Sequence, residues 1–197
     1  MTRVKICGIT SVGDALLAVE LGAHALGVIG VASSPRFSTP AVAREIVRVA
    51  GPFVPVVSVV RRAQESPGVG EAWTQFYEGP PPVSLTGIRV FRIRDEASLV
   101  ELAEYAEPVV ALHLDAYHET ALGGVGKRFD WHLAVKAKAL RPDLPLILAG
   151  GLTPENVADA VRQVRPYAVD VSSGVETEPG RKDPDKLRDF LIAVRSA

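Results

Sequence analysis

The chain is short of the residues that mark several classes of protein. Of its 197 residues only Cys7 is a cysteine. One cysteine cannot close an internal disulfide, so a disulfide-stapled scaffold is excluded and a reducing, cytoplasmic setting is expected. The chain has 4 histidines, and with the lone cysteine they form no group at metal-ligand spacing, so no metal is expected. No apolar run reaches membrane-spanning length. Lys5 and Gly8 interrupt the N-terminal stretch where a signal peptide would carry its apolar core. Neither sign of charge is in excess: 22 Lys and Arg stand against 23 Asp and Glu. That balance argues against a general nucleic-acid binder, yet leaves room for a small anion held by a few local donors.

What is present is enough apolar material for one sizeable core. Hydrophobic residues make up 47% of the chain, and the length fits a single domain over residues 1–197. Apolar, β-rich segments recur near Val4–Cys7, Ala25–Gly30, Val54–Val60, Trp73–Tyr77, Ile88–Ile93, Val109–Leu114, Leu146–Ala149 and Ala168–Val171. Most are continuous rather than alternating, as expected of strands buried under helices. Helix starts lie between them. Ser11 with Asp14 reads as a cap, and Thr39-Pro40, Thr153-Pro154 and Asp183-Pro184 each set a capping residue before a proline suited to the first helical position. Asp95 starts a helix through Tyr105, and Asp130 one through Leu140. Val157, Ala160, Val161 and Val164 form a helical stripe, as do Leu187, Phe190, Leu191 and Val194.

Eight strand–helix units imply parallel strands, right-handed crossovers and a closed (β/α)8 barrel, although about 250 residues is usual for that fold. A doubly wound open sheet is the alternative; it usually carries G-x-G-x-x-G after the first strand, which Gly8 alone does not supply. The middle is irregular. Pro67, Gly68 and Gly70 weaken a third helix, and Gly79-Pro80-Pro81-Pro82 leaves little room for a fourth. The third is expected short or frayed, the fourth reduced to a loop or absent.

In a parallel α/β protein chemistry collects at the carboxyl ends of the strands. Cys7 stands at that end of the first strand, and Asp115 ends the sixth. Each has a plain alternative: a buried cysteine acting as a small hydrophobe, and a turn-capping aspartate. Gly150-Gly151 and Ser173-Gly174 follow the seventh and eighth strands, where barrels frequently bind phosphate through backbone N–H groups. Gly123-Gly124-Val125-Gly126-Lys127 forms a glycine-rich stretch after Asp115. Arg36, in the loop after the second strand, can grip a carboxylate or simply be solvated. Side-chain alternation sharpens one point. If Cys7 faces the barrel interior, so does Lys5, which needs a buried partner. Strands one and eight are neighbours in a closed barrel, so Asp170 is the expected partner. His113 shares the face of Asp115 and is expected to be a hydrogen-bonded core histidine. A thiolate base beside Lys5, an acid at Asp115 and a phosphate anchor suit an aldose–ketose proton transfer.

Lys5-Ile6-Cys7-Gly8-Ile9-Thr10, Ser34-Pro35-Arg36-Phe37, Leu114-Asp115, Gly124-Val125-Gly126-Lys127-Arg128-Phe129-Asp130-Trp131, Leu148–Val157 and Asp170–Glu176 occur in that order. Together they closely resemble the phosphoribosylanthranilate isomerases of tryptophan biosynthesis, which are (β/α)8 barrels. The resemblance implies an Amadori rearrangement of N-(5-phosphoribosyl)anthranilate, a small phosphorylated substrate, with no metal or cofactor. It implies Cys7 as general base, Asp115 as general acid, and Arg36 as the binder of the anthranilate carboxylate. Gly150, Gly151, Ser173 and Gly174 would hold phosphate, with Lys5 and Asp170 as electrostatic support. The chain departs from the family at the fourth strand. There Gln75-Phe76-Tyr77-Glu78-Gly79 replaces the usual Gln-Leu-His-Gly; after the third strand, Arg61 stands where asparagine is common. A non-catalytic phosphate-binding barrel and a related barrel enzyme for another phosphorylated sugar are the other readings. Membrane and nucleic-acid partners are not expected, and the chain is read as a monomer or homodimer.

Overall fold

The computed structural model describes residues 1–84, 86–117 and 129–197. Eight parallel strands close into a barrel in sequence order. They are β1 (Arg3–Ile6), β2 (Ala25–Ile29), β3 (Val56–Arg62), β4 (Trp73–Glu78), β5 (Gly87–Ile93), β6 (Ala111–Ala116), β7 (Leu146–Leu148) and β8 (Ala168–Val171). The barrel closes between β8 and β1, where Lys5 is paired in register with Asp170. The glycine-rich stretch 123–127 lies outside the described residues.

The helices start where their caps place them. Ser11 accepts from the Asp14 N–H ahead of α1 (Val12–Glu20), and Thr39 from Val42 ahead of α2 (Pro40–Ala50). Asp95 does not open a helix directly: its carboxylate accepts from the Ser98 N–H and hydroxyl across a turn. Helix α3 runs from Ser98 to Glu104, ending one residue before Tyr105, with Ala97 at its N-cap and no side-chain cap. Asp130 caps α4 (Trp131–Leu140), and Asp183 caps α6 (Pro184–Arg195) through two N–H groups. Thr153-Pro154 does not open a helix directly. The chain first makes a turn in which Asn156 accepts from the Thr153 N–H and donates to the Gly151 carbonyl, and α5 runs from Val157 to Val164. The apolar stripes of α5 and α6 are buried against the outside of the barrel: Val157, Ala160, Val161 and Val164 on one, Leu187, Phe190, Leu191 and Val194 on the other. Each fully buried valine, leucine or phenylalanine among them contributes roughly 1.5–3 kcal/mol.

Two units lack a full helix. After β3 there is one 3-10 turn, Ala63–Glu65, and β4 passes to β5 with no helix among the described residues. The prolines cover the gap instead: the backbone of Gly87 approaches Pro82 and Pro81 so closely that a β-carbon there would lie 2.8 Å from the Pro82 ring. On the outer barrel surface the Arg89 guanidinium lies 5.7, 5.3 and 5.5 Å from the ring centres of Phe76, Phe91 and Tyr105, and it pairs with Glu101. Aromatic faces shelter this cation where a helix would otherwise pack.

Inside the barrel the floor is apolar, built from Val57, Ile88, Ala111, Ile147 and Ala168, with Trp73 packed against them. Two residues up, four of the strands place polar side chains inside, the buried Lys5, Gln75, His113 and Asp170, while Val59, Val90 and Ala149 keep the layer apolar on three others. Strand alternation brings Cys7, Tyr77, Arg92 and Asp115 to the layer above, at the mouth. Among the described residues no helix is long and apolar enough to cross a membrane.

Candidate active site

Lys5 and Asp170 form a buried ion pair, the ammonium Nζ lying 3.0 Å from both carboxylate oxygens. His113 Nε2 lies 2.8 Å from Asp170 Oδ2, so the carboxylate is shared between a cation and an imidazole. Burial alone would neutralise Asp170, but Lys5 and His113 outweigh it and hold the carboxyl below its ordinary range. Burial likewise acts to discharge Lys5, and is outweighed by Asp170 and Cys7, which keep it protonated. The polar layer is therefore a fixed charge pair beneath the mouth.

Cys7 and Asp115 stand over it. Both are buried, at 7% and 8% exposure. Burial pushes the Cys7 thiol above its usual value, and Lys5 beside it pulls the other way. A cation next to a thiol is the arrangement that makes a thiolate accessible. Room for this contact comes from β2: a β-carbon on Gly27 would sit 2.7 Å from Cys7 Sγ and 2.9 Å from Lys5 Nζ. Asp115 lies within β6, one residue before its end, rather than beyond the strand. Its Oδ1 accepts from the Ala116 N–H at 2.8 Å. Burial raises its pKa to about 6, against the pull of His113. A carboxyl tuned in this way serves as a proton donor near neutrality.

Arg36 is not a solvated arginine. Its stem crosses Gly8, whose φ of +71° excludes most side chains and whose missing β-carbon would lie 2.7 Å from Arg36 Cδ. Its guanidinium grips Glu176, with Nε 3.0 Å from both carboxylate oxygens and Nη2 2.7 Å from Oε2. Glu176 also takes Lys182 Nζ at 2.8 Å, and the same ammonium reaches the Cys7 carbonyl at 2.6 Å. Burial would raise the Glu176 pKa, but the two cations outweigh it; Lys182, by contrast, is lowered by its burial. Glu176 and Lys182 lie on a hairpin, β9 (Glu176–Glu178) and β10 (Arg181–Lys182), that folds back over the end of β1. Its local signal in the sequence is Pro179-Gly180, a turn pair, with Gly180 at φ +86°. Gly27 carries a signal of the same kind, since a glycine inside a strand marks a close approach.

The two glycine turns pack on each other. Gly150 and Gly151 have φ of +87° and +66°. A β-carbon on Gly150 would meet the Ala116 nitrogen at 2.6 Å, and one on Gly174 the Leu152 carbonyl oxygen at 1.9 Å. Ser173–Val175 forms a 3-10 turn directly after β8. Exposed backbone of this kind beside a turn start is suited to an anion. The Ser172 hydroxyl is buried there with no hydrogen-bond partner among the described residues. Elsewhere, a cleft of about 880 Å3 lies where the start of α4 meets α5, among Trp131, His132, Asp159 and Arg162. It contains neither Cys7 nor Asp115. Among the described residues no cluster of three or more His, Cys, Asp or Glu is arranged to hold a metal ion.

A closed eight-stranded parallel barrel whose C-terminal mouth gathers a tuned carboxyl, a cation-flanked thiol and two glycine turns is a (β/α)8-barrel enzyme by construction. The chain is similar to the N-(5'-phosphoribosyl)anthranilate isomerase of Citrifermentans bemidjiense, at 48% identity over 99% of this chain and 98% of that one. It superposes on the crystal structure of phosphoribosyl anthranilate isomerase from Thermotoga maritima with a TM-score of 0.86 and 36% identity, covering 100% of both chains. A further isomerase structure, in complex with reduced 1-(o-carboxyphenylamino)-1-deoxyribulose 5-phosphate, matches with a TM-score of 0.81 and 34% identity over 100% of both chains. The family model for N-(5'phosphoribosyl)anthranilate isomerase matches residues 70–193. The chain belongs to the phosphoribosylanthranilate isomerase family.

Proposed function

We propose that this protein converts N-(5-phosphoribosyl)anthranilate to 1-(2-carboxyphenylamino)-1-deoxyribulose 5-phosphate, with Asp115 as general acid and Cys7 as general base. The observation that carries the assignment is the meeting of two groups at one mouth: a buried carboxyl raised to about 6, and a buried thiol with a fixed ammonium beside it. Asp115 gives its proton to the furanose ring oxygen. The C1′–O bond breaks as the anthranilate nitrogen lone pair forms a C1′=N iminium. Cys7 thiolate then takes the C2′ proton, the C–H pair becomes the C1′=C2′ bond, and the iminium π pair returns to nitrogen. The enolamine loses its 2′-hydroxyl proton and gains one at C1′, leaving a ketone. The substrate nitrogen is the electron relay, so the chemistry calls for neither metal nor cofactor.

Arg36, pre-oriented by Glu176, binds the anthranilate carboxylate. The backbone at Gly150, Gly151, Ser173 and Gly174 holds the 5′-phosphate. Lys5 and Asp170 set the charge beneath the base. The test follows the loss of phosphoribosylanthranilate fluorescence in wild type, Cys7→Ala and Asp115→Ala. Each substitution is expected to slow turnover by at least ~10²-fold, the lower end for a lost acid or base. Unchanged rates sink the assignment of roles. A wild type that binds the reduced product analogue without turning substrate over would be a binding barrel instead.

A further inference from the structure

The proposed mechanism leaves two polar side chains of the mouth, Tyr77 and Arg92, without a task. Tyr77 is the last inward residue of β4: it follows Trp73, which packs on the barrel floor, and the buried Gln75 by steps of two. Its hydroxyl makes no hydrogen bond among the described residues, and although part of the residue meets solvent, the phenol is desolvated. The charges that act on the phenol are those of Asp115, Cys7 and Asp170, with Arg92 opposing them. Arg92 is itself in register with Asp115 across β5 and β6. Strand alternation puts the phenol in the same inward layer as the acid and the base, on the side of the barrel where the helix is missing. Burial and those neighbouring charges keep it protonated well above the ordinary tyrosine range. It is a permanent neutral donor that cannot compete with Cys7 as a base.

We propose that Tyr77 is a substrate-binding residue whose O–H donates a hydrogen bond to the 2′ oxygen of the ring-opened sugar. The inference rests on the isomerase reading given above. Asp115 serves C1′ and the ring oxygen, and Cys7 serves C2′, so a donor facing both meets the oxygen attached at C2′. That oxygen changes from a hydroxyl to a carbonyl during the reaction and becomes the better acceptor as it does so. The neighbouring Arg92 guanidinium lies over the Tyr117 ring, 5.7 Å from its centre, which leaves the phenol as the neutral donor of this layer.

The experiment compares wild type, Tyr77→Phe and Tyr77→His by steady-state turnover and by calorimetric titration with the reduced product analogue and with inorganic phosphate. Losing one neutral hydrogen bond is expected to lower kcat/KM by about tenfold and weaken the analogue by several-fold. Phosphate affinity should stay the same, which a collapse of the site would not allow. Tyr77→His, which keeps a ring N–H donor, should recover most of the loss. Tyr77→Phe within twofold of wild type in both turnover and analogue binding overturns the inference while leaving the isomerase assignment intact. A wild type that binds analogue without turnover overturns that assignment, and the titration still decides Tyr77. A wild type that does neither overturns both.

Discussion

Asp115 shows how a single residue can serve the reaction at the expense of the fold. Its folded pKa of about 6 lies above the ordinary 3.8 because burial disfavours the charge. Raised in this direction, the native state holds its proton more tightly than the unfolded chain does. The resulting penalty is absent below about pH 4, grows as pH rises between the two values, and is complete above about 6. The displacement from 3.8 to about 6 corresponds to roughly 3 kcal/mol. Asp115→Asn keeps an acceptor for the Ala116 N–H and cannot ionise. It is therefore expected to be inactive yet more stable than wild type at about pH 8, by an amount on the order of 3 kcal/mol, with the advantage vanishing near pH 4. Urea unfolding at the two pH values checks this. A variant less stable than wild type at the higher pH would mean that the buried carboxylate is better solvated than its surroundings indicate.

Among the elements, the β9–β10 hairpin was the least legible in the sequence. Strands of three and two residues carry no periodicity to read, and Glu176 and Lys182 look like ordinary surface charges until Arg36, 140 residues away, is brought against them. The missing helices were readable for the opposite reason: a run of prolines and glycines forbids local geometry whatever the tertiary context. Strand parity, a purely local rule, was likewise enough to bring Lys5 to Asp170 once the barrel was assumed closed. Parity also limits what could be read at β4, since it brings Tyr77 inward but does not reveal which charges face it from other strands. The hairpin makes its own prediction. Glu176→Gln preserves shape but strips the anion from between Arg36 and Lys182. Leaving buried charges unpaired costs about 3–5 kcal/mol. A lower urea midpoint is expected, together with a KM at least about tenfold higher, since the charge-assisted pairing that orients Arg36 is lost. Inorganic phosphate should bind as before. If KM is unchanged, Arg36 does not depend on the hairpin for its position.

At the scale of the whole molecule, closure is the costly step. β1 and β8 must meet from opposite ends of the chain, and the side chains that meet at this seam inside the barrel are Lys5 and Asp170, 165 positions apart. A buried ion pair is a poor source of stability, because desolvating two charges offsets most of their attraction. Its persistence here points to function: the ammonium that neutralises Asp170 also sits beside the Cys7 thiol. The two roles separate by substitution. Lys5→Met alone leaves Asp170 buried with only His113, and Asp170→Asn alone leaves an unpaired ammonium; each is expected to cost about 3–5 kcal/mol. The double substitution removes both charges while the amide put in place of the Asp170 carboxylate still bonds His113, so its cost should fall well below the sum of the two. It should nevertheless be as slow as Lys5→Met, because the cation that favours the thiolate is gone. Urea titration gives the stabilities, and the pH dependence of Cys7 alkylation gives the thiol, which should ionise at higher pH in both variants lacking Lys5. A double variant that regains wild-type turnover together with its stability would show that the pair serves barrel closure alone.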